Sequence, residues 1–415
     1  MQKVYFKTFG CRTNQFDTQI MISKLKDYEI SMEEEGADIV VVNSCTVTNG
    51  ADASVRHYIA SIKRKNPSAK VILAGCGAHS KGEVLFADKT VHGVMGHSEK
   101  EKINEILKQE HPFYQIGDLD HIDSTIVEEF VGKSRAFIKI QEGCDFRCSY
   151  CIIPSVRGNA RSHKESDIIE QVTRLAGNGF GEFILTGTNV GSYGKDRGSS
   201  LAKLLKKLSQ LRGVRRIRIG SLEPIQIDEE FKELLSEPWM AKHLHIALQH
   251  TSDKMLELMN RRNRFKSDIK LFEEIAQKGY ALGTDYIVGH PGEDDAVWDE
   301  AINRVKALPL THIHAFTYSK RDHTPSATMK PDVKGDIAKA RHKELTGIIK
   351  EKNHLFRRAH TSNLEVLLES GKVGIYQGFD QYFNRISIKS DEDLSSSWVV
   401  LNKIEVSSEG NSAIL

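Results

Sequence analysis

Near the amino terminus, short apolar runs alternate with stretches whose apolar positions recur at helical spacing. The runs Val4–Phe9, Asp38–Val42 and Lys70–Ala74 read as strands, and Gln15–Tyr28 and Asp52–Lys65 as the helices between them. Strand and helix in alternation imply a parallel sheet, whose strand carboxyl ends share one edge where ligands bind. From about Lys133 the alternation restarts. Strands are expected at Ala136–Gln141, Glu182–Thr186, Arg215–Ile219, Leu244–Leu248, Ala281–Val288 and Thr311–Thr317. Helices are expected at Glu165–Asn178, Leu201–Leu211, Ile227–Leu235, Ser267–Lys278 and Asp295–Ala307, with another from about Asp336 to His360. Repeated βα units of this kind predict a parallel barrel or partial barrel with its chemistry at the carboxyl ends of the strands. The tail, Ser362 to Leu415, alternates apolar and polar residues in NLEVLLE, KVGIYQG and SWVVLNKIEVS, which predicts a small antiparallel β domain. Residues 110–132 are acidic and weakly patterned, as a linker is. The expected division is 1–112, a linker at 113–132, 133–361 and 362–415.

A chain of 415 residues with 39% hydrophobic and 27% charged residues fits two or three soluble domains. The start, MQKVYFKTFG, lacks an apolar core and a cleavage site, and no apolar run approaches the ~20 residues of a membrane helix. A cytoplasmic protein without a membrane partner is expected. The net charge of +2 makes no case for nucleic acid, so any such case rests on local patches. Two qualify: Lys203 to Arg218, which carries Lys203, Lys206, Lys207, Arg212, Arg215, Arg216 and Arg218 without an acid, and the end of the 336–360 helix. A solvated helix face explains either patch equally well.

The six cysteines change the picture most. Three disulphides suit small secreted domains and not a large cytoplasmic chain. Cys144, Cys148 and Cys151 form a C-x3-C-x2-C group directly after the first strand of the second βα series. Cys11, Cys45 and Cys76 each follow a strand of the first series, so a parallel sheet brings them toward one crevice. Three thiolates suit a [4Fe–4S] cluster with one iron left open. Structural zinc generally uses paired C-x2-C groups, and no second pair is present.

With Tyr150 before its last cysteine, the C-x3-C-x2-C group resembles the radical S-adenosylmethionine (SAM) signature. GCDFRCSYCIIPSVRGNARS (Gly143–Ser162), LTGTNVGSYG, SLEP, LQHTSDKMLELMNRR, DYIVGHPGE and FTYSKRDHTPSATM resemble the methylthiotransferase branch of that superfamily. FGCRTNQFDTQ, NSCTVTNGAD and AGCGA resemble the branch's own amino-terminal domain. The resemblance implies an α/β amino-terminal domain with an auxiliary [4Fe–4S] cluster on Cys11, Cys45 and Cys76. It implies a partial (β/α)6 barrel with the radical SAM cluster on Cys144, Cys148 and Cys151, and a tail similar to TRAM RNA-binding domains. In the family, SAM is cleaved to a radical that takes hydrogen from an unactivated carbon, and a methylthio group is added there. Three branches act on isopentenyladenosine in tRNA, on threonylcarbamoyladenosine in tRNA, and on an aspartate of a ribosomal protein. GCRTNQFDTQ, with Arg12 after the first cysteine, looks most like the threonylcarbamoyladenosine branch, which modifies C2 of the base at position 37 in the anticodon stem-loop. An electron donor such as flavodoxin or ferredoxin and a sulphur donor are then also expected partners. An iron–sulphur sensor without catalysis is the alternative from another class.

By motif, the resemblance assigns SAM contacts to Tyr150, Gly187, Thr188, Asn189, Ser221, Glu223, Ile287 and Gly289, although glycines at strand ends also serve simply in tight turns. Arg157, Arg161 and Arg218 are candidates to grip the carboxylate of the modified base in bidentate fashion. Tyr376, Phe379, Tyr382, Phe383 and Arg385 are candidates to stack on RNA, with a core role as the alternative. His243, His245, His250, His312 and His314 read as hydrogen-bonded barrel residues rather than metal ligands; the i, i+2 pairs share a face. Three departures from the family, His290, Asp322–His323 and a short carboxyl-terminal part, bear on substrate fit.

Overall fold

Val4, Ile39–Val42 and Val71–Leu73 are all buried because their strands lie inside a sheet covered on both faces. In a computed structural model describing residues 1–128, 130, 133–369 and 374–414, this sheet has six parallel strands in the order β2-β1-β3-β4-β5-β6. They are β1 (Lys3–Thr8), β2 (Glu29–Ile30), β3 (Ile39–Ser44), β4 (Lys70–Gly75), β5 (Gly93–Met95) and β6 (Phe113–Gln115). Helices α1 (Arg12–Lys24), α2 (Asn49–Lys65), α3 (Cys76–Ala87) and α4 (Ile103–Ile106) connect them. Alternate residues feed two cores: Val4, Ile39, Val41 and Ile72 face one side, Val40, Val42, Val71 and Leu73 the other. The winding reverses between β1 and β3, which opens the crevice beyond their carboxyl ends.

The expected linker is more structured than its composition suggested. Phe113 is buried, and Phe113–Gln115 completes the sheet edge by pairing with β5. Asp123 is buried as well. Glu129, Val131 and Gly132 of that segment lie outside the described residues.

The second series of strands is β7 (Ala136–Glu142), β8 (Arg161–Ser162), β9 (Glu182–Gly187), β10 (Arg216–Ile219), β11 (His243–His245), β12 (Ala281–Val288) and β13 (His312–Thr317). All pair in parallel except β8, an antiparallel addition to β7. Bridges Ile217↔Met240 and Leu222↔Ile246 join β10 to the β11 side, completing the expected partial barrel of six parallel strands. The expected strand Leu244–Leu248 is shorter, His243–His245; Ile246 and Ala247 still donate to the Gly283 and Leu222 carbonyls, and at Leu248 the N–H turns to the Thr284 hydroxyl. Outside lie α5 (Ile153–Arg157), α6 (Glu165–Gly177), α7 (Leu201–Ser209), α8 (Glu229–Glu233), α9 (Asp253–Leu258), α10 (Phe265–Gln277) and α11 (Asp295–Ala307). Apolar stripes such as Ile168, Val172 and Leu175 on α6 bury their helices against the strands. Then α12 (Gly335–Ala359) lies along β13, burying Leu345 and Ile349. No helix among the described residues is long and apolar enough to cross a membrane.

The tail forms a curled sheet of β14 (Leu364–Leu368), β15 (Gly374–Phe379), β16 (Arg385–Ser390), β17 (Trp398–Leu401), β18 (Glu405–Val406) and β19 (Asn411–Ile414), around Leu364, Val366, Tyr376, Ile386 and Ile388. Lys372 and Val373 of the expected strand KVGIYQG lie outside the described residues. This sheet caps the amino ends of the barrel strands. Arg135 pairs with Glu369 at 2.6 Å, Arg215 with Glu365 at 2.7 Å, and Trp398 lies against the Arg215 and Arg216 guanidiniums.

That cap corrects the reading of both basic stretches. Arg216 and Arg218 are buried on Glu182, Arg215 is tied to the tail, Lys207 pairs with Glu165 at 2.5 Å, and Lys206 lies 3.9 Å from Glu230. At the end of α12, Arg357 donates to Asn411 Oδ1 at 2.8 Å and Lys352 to the Lys306 and Leu308 carbonyls. Much of the positive charge in these stretches is therefore spent on fastening the fold.

Candidate functional site

The carboxyl end of β7 runs straight into the loop bearing Cys144, Cys148 and Cys151, and α5 follows. Together these thiols line a cavity of about 330 Å³. Its wall comes from the carboxyl ends of the other strands: Thr188 and Asn189 after β9, Ser221 and Glu223 after β10, Ala247 and Gln249 after β11, Asp285 and Ile287 of β12, and Phe316–Ser319 at β13. Val47 and Thr48 of the first module complete it. Burial raises the Cys144 pKa and pushes the Cys151 thiol up to about 12, so any metal group held here would have to drive their deprotonation.

Six of the eight residues assigned to SAM line this cavity: Tyr150, Thr188, Asn189, Ser221, Glu223 and Ile287. Asn189 is held by its N–H to Gln141 Oε1 at 2.7 Å, and its Oδ1 is buried without a hydrogen-bond partner. A free acceptor in that place fits an ammonium group. Tyr150 and Ile287 pack together with Met255 and Met259 as an apolar wall. Glu223 differs from expectation: its carboxylate takes a bidentate pair from Arg261, one arm at 2.8 Å. Burial still raises the Glu223 pKa despite that cation. Arg261 also reaches Cys148 Sγ at 3.6 Å, and Asn189 Nδ2 reaches Cys144 Sγ at 3.6 Å. Gly187 and Gly289 do not line the cavity. A Cβ on Gly187 would fall 2.8 Å from the Gln141 carbonyl, and one on Gly289 2.8 Å from Ala338 Cβ, so both serve close packing. Arg261, Gln141 and Asp285 escaped the sequence reading, although Arg261 and Asp285 lie within quoted motifs.

The other three cysteines converge as the sheet demands. Cys11 follows β1, Cys45 follows β3 and Cys76 opens α3 after β4, so Cys11 and Cys45 flank the reversal point. Gly10 adopts φ +96°, and a side chain there would meet Cys45 Cβ at 2.6 Å. Burial raises the Cys45 pKa and pushes Cys76 up to about 12. Among the described residues neither triad appears among the clusters of three donors lying within 4.8 Å of one another. Three thiolates on one zinc ion, at 2.3 Å each, would lie about 3.8 Å apart. In each triad at least one pair of sulphurs is therefore too far apart to share one zinc ion, and the soft donor set fits a polynuclear iron–sulphur group. Thr46, next to Cys45, accepts from Arg321 at 2.9 Å, and Arg321 also pairs with Asp52 at 2.8 Å, which anchors this loop to the barrel.

The three arginines assigned to substrate are otherwise engaged. Arg157 is buried, donating to Cys76 Sγ at 3.2 Å and Asn14 Oδ1 at 2.5 Å while pairing with Asp17 and Glu142. It belongs to a buried group of three cations, Lys100, Lys139 and Arg157, and three anions, Asp17, Asp123 and Glu142. Arg161 donates to the carbonyls of His121, Arg157 and Asn159. Arg218 is buried against Glu182 at 2.7 Å and donates to the Asp380 carbonyl. Arg157 and Arg218, buried with their donors satisfied, have none left for a carboxylate ligand, whereas Arg161 is only half-buried. The tail aromatics are similarly spent: Tyr376 is core, Phe379 lies on Arg135, and Phe383 lies between Arg12, Arg218 and His243. Burial and the Arg135 and Arg218 charges lower the Arg12 pKa to about 10.

Residues 3–96 match the uncharacterized protein family UPF0004, and residues 138–305 match the radical SAM superfamily. A protein of Helicobacter pylori (strain J99), provisionally named a methylthiotransferase, is 53% identical over 100% of both chains. The threonylcarbamoyladenosine tRNA methylthiotransferase MtaB of Aquifex aeolicus is 36% identical, over 85% of this chain and 89% of that protein. The tRNA-2-methylthio-N(6)-dimethylallyladenosine synthase of a Hydrogenobaculum species is 31% identical over 94% of each. In fold, the chain is similar to TsrM, a radical SAM methyltransferase of Kitasatospora setae solved with cobalamin and a [4Fe–4S] cluster bound. The TM-score is 0.61 at 15% identity, covering 79% of this chain and 77% of that one.

Proposed function

This chain belongs to the methylthiotransferase family of radical SAM enzymes, and on that footing we propose that it adds a methylthio group to C2 of N6-threonylcarbamoyladenosine at position 37 of tRNA. It is a transferase of a sulphur-containing group that works with SAM and two [4Fe–4S] clusters. The substrate reading rests on one observation: the Aquifex relative, more similar to this chain than the dimethylallyladenosine synthase, is named for threonylcarbamoyladenosine. That synthase supports isopentenyladenosine as the second reading. A ribosomal-protein aspartate is a third, with no observation in its favour here. An electron donor of the flavodoxin or ferredoxin kind and a sulphur donor are part of the proposal, as is a cytoplasmic place of work.

The roles assigned to residues follow from their positions. Cys144, Cys148 and Cys151 would hold one cluster, and Cys11, Cys45 and Cys76 the other. When bound, these groups supply the electron that cleaves SAM and the sulphur that is transferred. Asn189 Oδ1 offers an acceptor to the SAM ammonium, and Thr188 stands beside it. Tyr150, Ile287 and Met255 exclude water along one wall of the cavity. Arg261 holds Glu223 in place and reaches toward Cys148. Val47 and Thr48, two and three residues after Cys45, carry the loop of the second triad to the wall of this cavity. A base splayed from the anticodon loop, as RNA-reading proteins require, enters where Phe316 is exposed.

The test offers the reconstituted enzyme three substrates: tRNA with threonylcarbamoyladenosine, tRNA with isopentenyladenosine, and the ribosomal protein. Nucleoside and peptide mass spectrometry should find methylthio product only on the first. Preference for either other substrate rejects the substrate reading and leaves the family intact.

A further inference from the structure

On the inner face of the barrel, β11, β12 and β13 bring a set of imidazole and carboxylate donors to one level. Asp285 stands opposite His314 in register, and His245 stands opposite Gly283. Glycine at 283 leaves room for the rings, since a Cβ there would fall 2.8 Å from His245 Nδ1 and 3.2 Å from His243 Nε2. Asp285 Oδ1 lies 3.0 Å from His245 Nε2 and 3.4 Å from His314 Nδ1, and the three donor atoms lie within 4.8 Å of one another.

These spacings suit a shared ion. A tetrahedral ion with nitrogen and oxygen ligands at about 2.0–2.1 Å sets its ligands about 3.3–3.4 Å apart. His245 Nε2 is buried without a hydrogen-bond partner despite its nearness to the carboxylate. His243 Nε2, on a side chain only 8% exposed, is likewise unpartnered. Ser221 Oγ reaches the other carboxylate oxygen of Asp285 at 3.4 Å, the place of an outer-shell orienting group.

We propose that His245, Asp285 and His314 form a mononuclear site for a divalent transition metal ion of the zinc class, separate from both cysteine triads. Two imidazoles, borderline nitrogen donors, with one hard carboxylate oxygen suit such an ion and not an iron–sulphur cluster. The His314 side chain is 63% exposed and Asp285 lines the main cavity, so the fourth position opens toward the cleft.

The experiment uses the chain with both clusters reconstituted, exposed to zinc sulphate, freed of loose metal and assayed for iron and zinc by mass spectrometry. The wild type should retain one zinc beyond its iron. His314→Ala, a change at an exposed position, and Asp285→Asn should keep the iron and weaken zinc binding by at least about tenfold. X-ray absorption at the zinc edge should give only nitrogen and oxygen neighbours, near 2.0–2.1 Å. Equal zinc uptake by wild type and both variants at equal iron, or a sulphur shell at about 2.3 Å, overturns the proposal.

Discussion

Arg157 places its Nε 3.2 Å from Cys76 Sγ, so a side chain of the barrel donates directly to the first module's thiol triad. Hydrogen bonds to the ligating sulphurs stabilise the reduced, more negative state of an iron–sulphur group and raise its potential. In Arg157→Lys the charge facing Asp17 and Glu142 is kept while the planar fork that also reaches sulphur is lost. The auxiliary potential should fall by tens of millivolts in an EPR-monitored titration, with the other cluster unmoved. An unchanged auxiliary potential would show that the contact is structural only.

The two triads should separate by function. Alanine at Cys144, Cys148 and Cys151 should leave about half of the roughly eight irons per chain and abolish formation of 5′-deoxyadenosine. Alanine at Cys11, Cys45 and Cys76 should leave SAM cleavage in place and remove the methylthio product. Normal product from the second variant would refute the sulphur-donating role of that triad.

Lys139 is fully buried and touches Asp17, Asp123 and Glu142. Lys139→Met leaves three buried anions facing two cations, and breaking a buried pair from one side costs about 3–5 kcal/mol. Adding Asp123→Asn restores the balance and should recover part of the loss in urea unfolding. A double variant no more stable than the single one would mean that packing, not charge, carries the effect.

Asp380 gives the interface between tail and barrel a pH dependence. Burial raises its carboxyl to about 6, against the pull of Arg218 and of N–H groups from Tyr382 and Asn384. The folded chain therefore binds the proton more tightly than the unfolded chain, whose carboxyl titrates near 3.8. Stability from this group is present in full below about pH 4 and is lost as pH rises through 6. Between pH 7 and 5 the wild type should gain about 1 kcal/mol that Asp380→Asn does not. Parallel urea midpoints for the two proteins across that range would disprove the assignment.

Much of this architecture was legible in the chain. Strand runs such as Lys70–Ala74 and helix stripes such as Glu165–Asn178 fell within a few residues of the observed elements, because local periodicity reflects which face is buried. The grouping of the cysteines was legible too, since strand order forces it. What the sequence hid was long-range pairing. Arg157, Arg161 and Arg218 look like free cations in a string of letters, yet their partners come from positions as distant as Asn14, His121 and Asp380. The basic run at 203–218 misled for the same reason: Glu165, Glu182 and Glu365, which neutralise it, lie elsewhere in the chain. The short β6 was missed because a strand of three residues leaves almost no periodic signal.

The tail sheet closes the amino end of the barrel, and traffic through the enzyme is shaped by that closure. Trp398, Phe379 and Phe383 stack on arginines at that end, so the open mouth of the barrel is its cysteine-lined end. Molecules that share one mouth leave in the reverse order of entry. On the proposed reading, a spent small molecule beneath a tRNA base seated in that mouth would leave only after the tRNA, so each round would end with the larger partner letting go.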